Sequence, residues 1–301
     1  MKKLIPLLVF ITITFSGFSQ EDIKDQKSNI QTYTPSKLLK KGQWDIKFFN
    51  SLYTQTKKTD AGSNSVTIPR ETFFTNTTEI YTGISEKSRV NIGFILQIRS
   101  NTFGGANALD VFKFEDNASA RNGLTTIAPS IRVQPFASTP NFSFTSSVYL
   151  PIFKDKANAP YLDKRSVFWE TKFFYDNTFG DDKWQVFTEV DLGFNFGEKS
   201  TDADVDSNAT ERFANNSLFL PFGVFLSYFP STKTTVFVDA KQFFLIDLGN
   251  DFSQNSTSFG FGGKYQLTDV LNLEVSFDKF VRGHNFQGLG QTFSLGLRVL
   301  F

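Results

Sequence analysis

The sequence predicts an all-β protein: an antiparallel up-and-down transmembrane β-barrel of about twelve strands. Three observations carry this prediction, namely the composition, a repeated alternation of apolar and polar residues, and the spacing of the polar connections. Phenylalanine, which favours strands, occurs 38 times in 301 residues, while cysteine is absent. The mean hydropathy of −0.21 is compatible with a membrane barrel, because alternation hides the apolar outer face in the average.

The first residues have the features of a secretory signal. Two lysines precede an apolar run that ends at Phe15, and small residues lie before a cut between Ser19 and Gln20. The run is too short for a comfortable spanning helix. We therefore expect three parts: a signal peptide over 1–19, a polar periplasmic leader over 20–42, and the barrel over 43–301.

Alternation of apolar and polar residues dominates the chain from Trp44 onward. In VNIGFILQI, for example, Val90, Ile92 and Phe94 share one face while Asn91 and Gln97 lie on the other. This is the period of a strand that is wet on one side only. The predicted strands are 43–55, 70–84, 90–100, 123–134, 141–152, 165–176, 184–196, 216–229, 234–246, 256–267, 271–281 and 291–301.

The connections between these runs predict which end of the barrel faces outward. SEKSR, PFASTPN, NTFGDDK, PSTK and TD are short, whereas the segments near 101–122, 154–165 and 197–216 are long and polar. Short and long connections alternate along the chain. This pattern is typical of outer-membrane barrels, with tight periplasmic turns and longer outside loops.

Aromatic residues are predicted to form a girdle at the periplasmic ends of the strands, on the face assigned to lipid. Outer-membrane lipid is therefore one expected partner, because aromatic rings favour the headgroup level. The girdle residues are Trp44, Trp184, Tyr228, Tyr265 and Phe301.

The C-terminal stretch LGLRVLF, with Gly296 and the terminal Phe301, resembles the signal by which outer-membrane β-barrels are recognised by their assembly machinery. It departs from that pattern at Leu295, where a polar residue is usual. The resemblance implies a Gram-negative outer membrane and the barrel-assembly machinery as a partner. Closure of the first strand on the last would also leave no backbone group unpaired in lipid.

The opposite face of the strands is predicted to line the lumen, because so many charges could not be buried unpaired in an apolar core. The predicted pore-lining residues are Lys47, Gln97, Arg99, Arg132, Glu170, Lys172, Glu189, Asp191, Asp239, Lys241, Lys264, Glu274 and Arg298. Acids concentrate on the sixth and seventh predicted strands, and bases on the first, third, fourth and twelfth. Two interpretations stay open: a transverse field in a water-filled pore, or salt bridges that plug the barrel.

Phenylalanines also fall on the inner face, at Phe187, Phe219, Phe225, Phe237 and Phe243. They predict either packing inside a small barrel or a wall that binds a hydrophobic solute. The stretch LTTIAPSIRVQPF resembles strands of the transporter family linked to the MetA pathway of phenol degradation. That resemblance covers one strand and transfers no site residue.

Catalytic and metal motifs are weak in this chain. The single histidine, His284, has no serine near it in sequence, so the chain is not expected to be an enzyme. The acidic loop Asp202–Asn208 begins like a calcium loop, but Ser207 and Phe213 replace the glycine and glutamate of that motif. A solvated loop or a loose calcium site both stay open, and no metal or cofactor is predicted.

The function expected from these features is an outer-membrane channel or transporter for small polar or amphipathic solutes of unidentified nature. The alternative is a non-conducting barrel that acts through its outside loops. With 31 basic and 30 acidic side chains, nucleic acid is not an expected partner.

Overall fold

A computed structural model of the chain describes residues 28–154, 160–197, 216–249, 251–285 and 288–301. The predicted signal peptide, the first part of the predicted leader and the acidic loop Asp202–Asn208 lie outside the described residues.

The described residues form a four-residue helix, one 3₁₀ helix and thirteen strands. The helices are α1 (Asn29–Thr32) and η1 (Ala108–Lys113). The strands are β1 (Trp44–Thr59), β2 (Ser65–Gly83), β3 (Val90–Thr102), β4 (Ala120–Val133), β5 (Phe142–Pro151), β6 (Val167–Phe179), β7 (Trp184–Phe196), β8 (Ser217–Phe219), β9 (Phe222–Ser231), β10 (Thr234–Asp247), β11 (Gln254–Gln266), β12 (Leu271–His284) and β13 (Gln291–Leu300).

The strands form one closed antiparallel sheet. Each strand pairs with its neighbours in sequence, except that β8 and β9 do not pair with each other, and the last, β13, pairs with β1. The backbone N–H of Trp44 donates to the carbonyl of Phe301 at 2.8 Å, and the reverse bond is 3.0 Å. Both β8 and β9 lie between β7 and β10, so they are two halves of one barrel strand. The predicted up-and-down barrel of twelve strands is confirmed.

The one strand that is interrupted contains a proline. The sequence predicts a continuous strand over 216–229, whereas the structure splits it at Leu220 and Pro221. Proline has no N–H to donate to a sheet ladder. The flanking backbone still pairs: Leu220 N–H donates to the Phe244 carbonyl at 2.8 Å, and Asp191 N–H donates to the Pro221 carbonyl at 2.9 Å.

The two ends of the barrel differ. The turn end holds both barrel termini and the connections 84–89, 134–141, 180–183, 232–233 and 267–270. At the loop end lie the connections 60–64 and 103–119 and the described parts of the connections 152–166, 197–216, 248–253 and 285–290. The first loop-end connection is shorter than the alternation predicts, because β1 and β2 continue beyond their predicted limits to a tight turn at 60–64.

The faces of the barrel are the reverse of those in a soluble protein. Large apolar side chains cover the outside, as shown by Phe261, which is 60% exposed. The inside carries buried charges such as Asp45, which is 0% exposed. An apolar outer surface is unfavourable in water but not in lipid. A bilayer is therefore the environment in which this arrangement is stable. Among the described residues, no helix is long and apolar enough to cross a membrane.

Residues 28–43, called the strap here, lie across the opening at the turn end. On one side Asn29 Nδ2 donates to the Asp269 carbonyl at 2.6 Å, in the turn between β11 and β12. On the other side Lys37 Nζ donates to the Pro140 carbonyl at 2.9 Å, in the turn between β4 and β5. The chain thus crosses the mouth from one wall to the other before it enters β1.

Candidate functional site: the interior of the barrel

Contacts between strands that are not neighbours identify the inner face. Arg132 on β4 reaches Asp45 on β1 at 3.3 Å and Glu79 on β2 at 2.7 Å. Because β3 lies between β4 and β2, these contacts must cross the interior. The alternation of the paired strands then places all thirteen predicted pore-lining side chains on this inner face. That they line a conducting pore stays a prediction.

One group of charges, called the basic cluster here, joins β1, β2, β4 and β13. Its members are Asp45, Lys47, Glu79, Arg132 and Arg298. Arg298 Nε and Nη2 donate to the two carboxylate oxygens of Asp45 at 2.7 and 2.9 Å. Such a bidentate pair fixes both geometry and charge. With three cations and two carboxylates, the cluster has a formal charge of +1.

A second group, called the acidic cluster here, lies on β6 and β7. Lys172 Nζ is 2.7 Å from Asp191, 3.1 Å from Glu189 and 3.7 Å from Glu170. One ammonium therefore serves three carboxylates, and the formal charge of the cluster is −2. The hydroxyl of Tyr149 on β5 donates a hydrogen bond to Glu170 Oε2 at 3.0 Å, which helps to stabilise the excess negative charge of the cluster.

Charges on the remaining wall are also paired. Lys241 Nζ lies 3.2 Å from Asp239 and 2.6 Å from Asp278. Further towards the turn end, Lys264 and Glu274 form a pair at 2.9 Å.

The structure shows ion pairs among the lumen charges, and both interpretations of these charges, the water-filled pore and the plugged barrel, stay open. Ion pairs are present, as the plugged interpretation requires. Yet the acidic cluster on β6 and β7 and the basic cluster centred on β1 lie on opposite walls, and their formal charges of −2 and +1 do not cancel locally. The formal charges of the two clusters therefore differ in sign across the barrel.

Aromatic side chains form the inner wall next to the acidic cluster. The Phe187 ring centroid lies 5.4 Å from that of Phe225, which lies 6.1 Å from Phe237. Nearer the loop end, Phe219 lies 5.0 Å from Phe243. These rings are the five predicted inner phenylalanines. They give the lumen an apolar side facing the basic cluster.

Two of the cavities bordered by the described residues lie inside the barrel. The inner cavity, of about 290 Å³, lies above the strap between the basic cluster and the rings of Phe187, Phe225 and Phe237. The outer cavity, of about 440 Å³, lies towards the loop end. Both cavities border Phe49 and Glu79, which therefore stand at the level where they meet.

The strap is anchored to the interior by polar side chains. Thr34 Oγ1 donates to Asp176 Oδ2 at 2.5 Å, and Ser36 Oγ also donates to that oxygen. The side chain of Asn91 bonds both the N–H and the carbonyl of Leu39, at 3.1 and 3.2 Å. Leu39 also packs against Tyr81 and Leu300. The polarity of the segment in sequence gave no sign that it would lie in the mouth.

Residues 160–164, which precede β6, lie inside the opposite end of the barrel. Asn101 Nδ2 donates to the carbonyls of Tyr161 and Leu162, each at 2.9 Å. Arg99 Nε then pairs with Asp163 at 2.8 Å. This segment narrows the lumen at the loop end. The sequence predicts this segment as part of a long, polar outside loop, and the apolar Leu162 is the one signal that could have indicated its burial.

The predicted girdle residues lie on the outer face at the turn end. Trp44, Trp184, Tyr265 and Phe301 are exposed, and the Trp184 ring lies 4.7 Å from the ring of Tyr228. Their role in lipid and in assembly stays a prediction.

Gly296 of the predicted assembly signal faces inward, where a Cβ would lie 3.0 Å from Cδ2 of the Phe49 ring. The structure therefore provides a packing reason for this glycine, independent of recognition by the assembly machinery.

A serine lies beside His284 in the structure, although the two residues are far apart in sequence. Ser63 Oγ and His284 Nδ1 share a hydrogen bond of 2.9 Å at the exposed rim of the loop end. The nearby Asp60 accepts hydrogen bonds from the N–H groups of Gly62 and Asn64, each at 2.8 Å. The bond from Asn64 lowers the pKa of Asp60, which binds the amides of its own turn. That the chain is not an enzyme stays a prediction.

Solved structures with the same fold include outer-membrane proteins. An outer-membrane channel from Pseudomonas putida F1 aligns with a TM-score of 0.65 at 12% identity, covering 88% of this chain and 98% of that one. The β domain of the autotransporter BrkA from Bordetella aligns with a TM-score of 0.54 at 13% identity, covering 86% of this chain and 99% of that one. At these identities the similarity shows the fold.

No protein-family model and no curated protein sequence matches the chain. The similarity of LTTIAPSIRVQPF to the phenol-degradation transporter family therefore stays a resemblance of one strand.

Proposed function

We propose that the chain is an outer-membrane channel that passes small polar or amphipathic solutes through its charged lumen. The turn end faces the periplasm and the loop end faces the cell exterior. The observation that carries this proposal is the pair of cavities in line through the barrel, each bordered by charged side chains on one wall and aromatic rings on another. A barrel with a purely structural role would be more stable if side chains filled this space.

The sizes of the two cavities support the proposed class of solute. The strap and the segment at 160–164 leave cavities of about 290 and 440 Å³, which suit molecules of the size of an amino acid or a small aromatic compound. Transverse polarity between the acidic and basic clusters would orient a dipolar solute as it passes. Both features favour slow, selective movement over the bulk flow of a wide porin.

A non-conducting barrel is the second candidate, and the extent of the ion pairing favours it. Each of the four cationic groups Lys172, Lys241, Lys264 and Arg298 has a carboxylate within 3 Å. If the strap never left the mouth, such a barrel would act through its loop end.

Single-channel recording of the refolded, purified barrel in planar bilayers separates the two candidates. A channel gives discrete openings, and Glu189→Gln should shift the reversal potential in a salt gradient towards anions, since it removes one of three carboxylates beside Lys172. Glu115→Gln, at an exposed position in the loop 103–119, is the matched control and should leave selectivity unchanged. Silence at all voltages, together with no swelling of liposomes in small sugars or amino acids, would establish the non-conducting barrel instead.

A further inference from the structure

The outer cavity contains a cation that lacks a carboxylate partner. Lys164 Nζ donates one hydrogen bond, to Asn195 Oδ1 at 3.3 Å. An ammonium has three donors, and within the described part of the chain no carboxylate pairs with this one. In contrast, the four lumen cations named above each have a close carboxylate. Lys164 therefore has hydrogen-bonding capacity left for a ligand.

Aromatic rings hold this ammonium at the cavity wall. Lys164 Nζ lies 4.3 Å from the centroid of the Phe168 ring and 5.5 Å from that of Phe219. Ring faces attract a cation without neutralising it. Gly193 leaves the space for the Phe168 ring, because a Cβ at that position would overlap it. The position of the ammonium is thus built into β6, β7 and β8.

A second cation borders the same cavity. Arg99 uses Nε for its ion pair with Asp163, while its guanidinium carries five donors in all. The carboxylates that line the cavity, Glu79, Asp163 and Glu170, are each paired with a cation other than Lys164. The apolar part of the lining includes Phe49, Phe168 and Phe219. Two cationic groups with free donors beside an apolar wall match a molecule with one carboxylate and an apolar body.

We propose that the outer cavity is a binding site for a small amphipathic monocarboxylate. The carboxylate accepts hydrogen bonds from Lys164 Nζ and from the terminal nitrogens of Arg99, and the apolar body lies against Phe168 and Phe219. This proposal rests on the proposed channel function, for which it defines the class of solute, although binding itself requires no conduction.

Calorimetric titration of the detergent-solubilised barrel with benzoate, and with its neutral isostere benzamide, tests the site. We expect benzoate to bind with a Kd of about 1 mM or below and benzamide to bind much more weakly. Lys164→Gln should raise the Kd for benzoate by roughly tenfold, the effect of removing one charge-assisted contact. Lys164→Arg should largely retain binding, and Lys183→Gln, at an exposed turn, should have no effect.

Folding of each variant is checked by gel electrophoresis, in which an unboiled sample of the folded barrel migrates faster than a boiled sample. Equal affinity for benzoate and benzamide, an unchanged Kd in folded Lys164→Gln, or no binding of benzoate would each overturn the site. Conduction without benzoate binding would contradict the proposed binding site but support the proposed channel. Benzoate binding by a barrel that never conducts would support the proposed binding site and contradict the proposed channel.

Discussion

At the scale of single residues, inward-facing glycines mark the places where the interior is crowded. A Cβ on Gly262 would overlap the Phe237 ring and lie 2.5 Å from the Val275 carbonyl oxygen. Its neighbour Gly263 faces outward, where the nearest atom to a Cβ is the Thr235 carbonyl oxygen at 3.2 Å. The two adjacent glycines therefore permit a matched comparison of interior packing.

We expect Gly262→Ala to lower the free energy of unfolding by about 1–3 kcal/mol, the usual cost of overpacking. Gly263→Ala should cost less, because the added methyl group faces lipid and reduces the freedom of the unfolded chain. Denaturant titration of the refolded barrel in lipid vesicles measures both. Equal effects of the two substitutions would show that the interior has room at Phe237.

Charge pairing at the residue scale could be predicted only in part. Period-two alternation assigns a side chain to the inner face, but not a partner, because partners come from strands distant in sequence. Arg298 and Asp45 are separated by nearly the whole chain, and closure alone brings them to 2.7 Å. For the same reason the bond between Ser63 and His284 could not be inferred from sequence proximity.

At the scale of elements, the strap lies across the mouth at the turn end and is held there by side-chain hydrogen bonds. Two hydroxyl groups, from Thr34 and Ser36, bind Asp176 on β6. Each such hydrogen bond contributes about 0.5–1.5 kcal/mol net, and somewhat more when the acceptor is charged. Together with the Asn91 contacts they hold the strap in the mouth.

We expect the double substitution Thr34→Ala and Ser36→Ala to raise the mean single-channel conductance or the frequency of openings, because the strap then leaves the mouth more often. Ser85→Ala, in a turn at the same end, is the control and should behave like the unmodified chain. Recordings in planar bilayers at several voltages decide this. A conductance that stays the same in the double variant would mean that the strap does not limit passage.

Strands were predicted well from sequence and the segments that enter the lumen were not, for a physical reason. Strand positions follow from alternation and turns, which are local: β7 begins and ends at the predicted residues, 184–196. The strap and the segment at 160–164 are polar, and polar residues suit solvent as well as a polar interior. Only the closed barrel distinguishes these environments.

At the scale of the whole molecule, closure places the two ends of the barrel chain side by side. The bonds between Trp44 and Phe301 use backbone atoms alone, while the Phe301 side chain is 56% exposed on the outer face. A substitution of this side chain therefore separates two roles of the terminus: pairing in the sheet, and recognition by the assembly machinery.

We expect Phe301→Gln to change the stability of the barrel refolded in vitro by no more than about 0.5 kcal/mol, the usual range for an exposed site. In cells, however, the amount of heat-modifiable barrel in the outer-membrane fraction should fall several-fold, since the terminal aromatic is the part that resembles the assembly signal. Phe136→Gln, in an exposed turn at the same end, controls for loss of a surface aromatic. If Phe301→Gln assembles in cells as well as the unmodified chain, the terminal ring serves the lipid surface and not recognition.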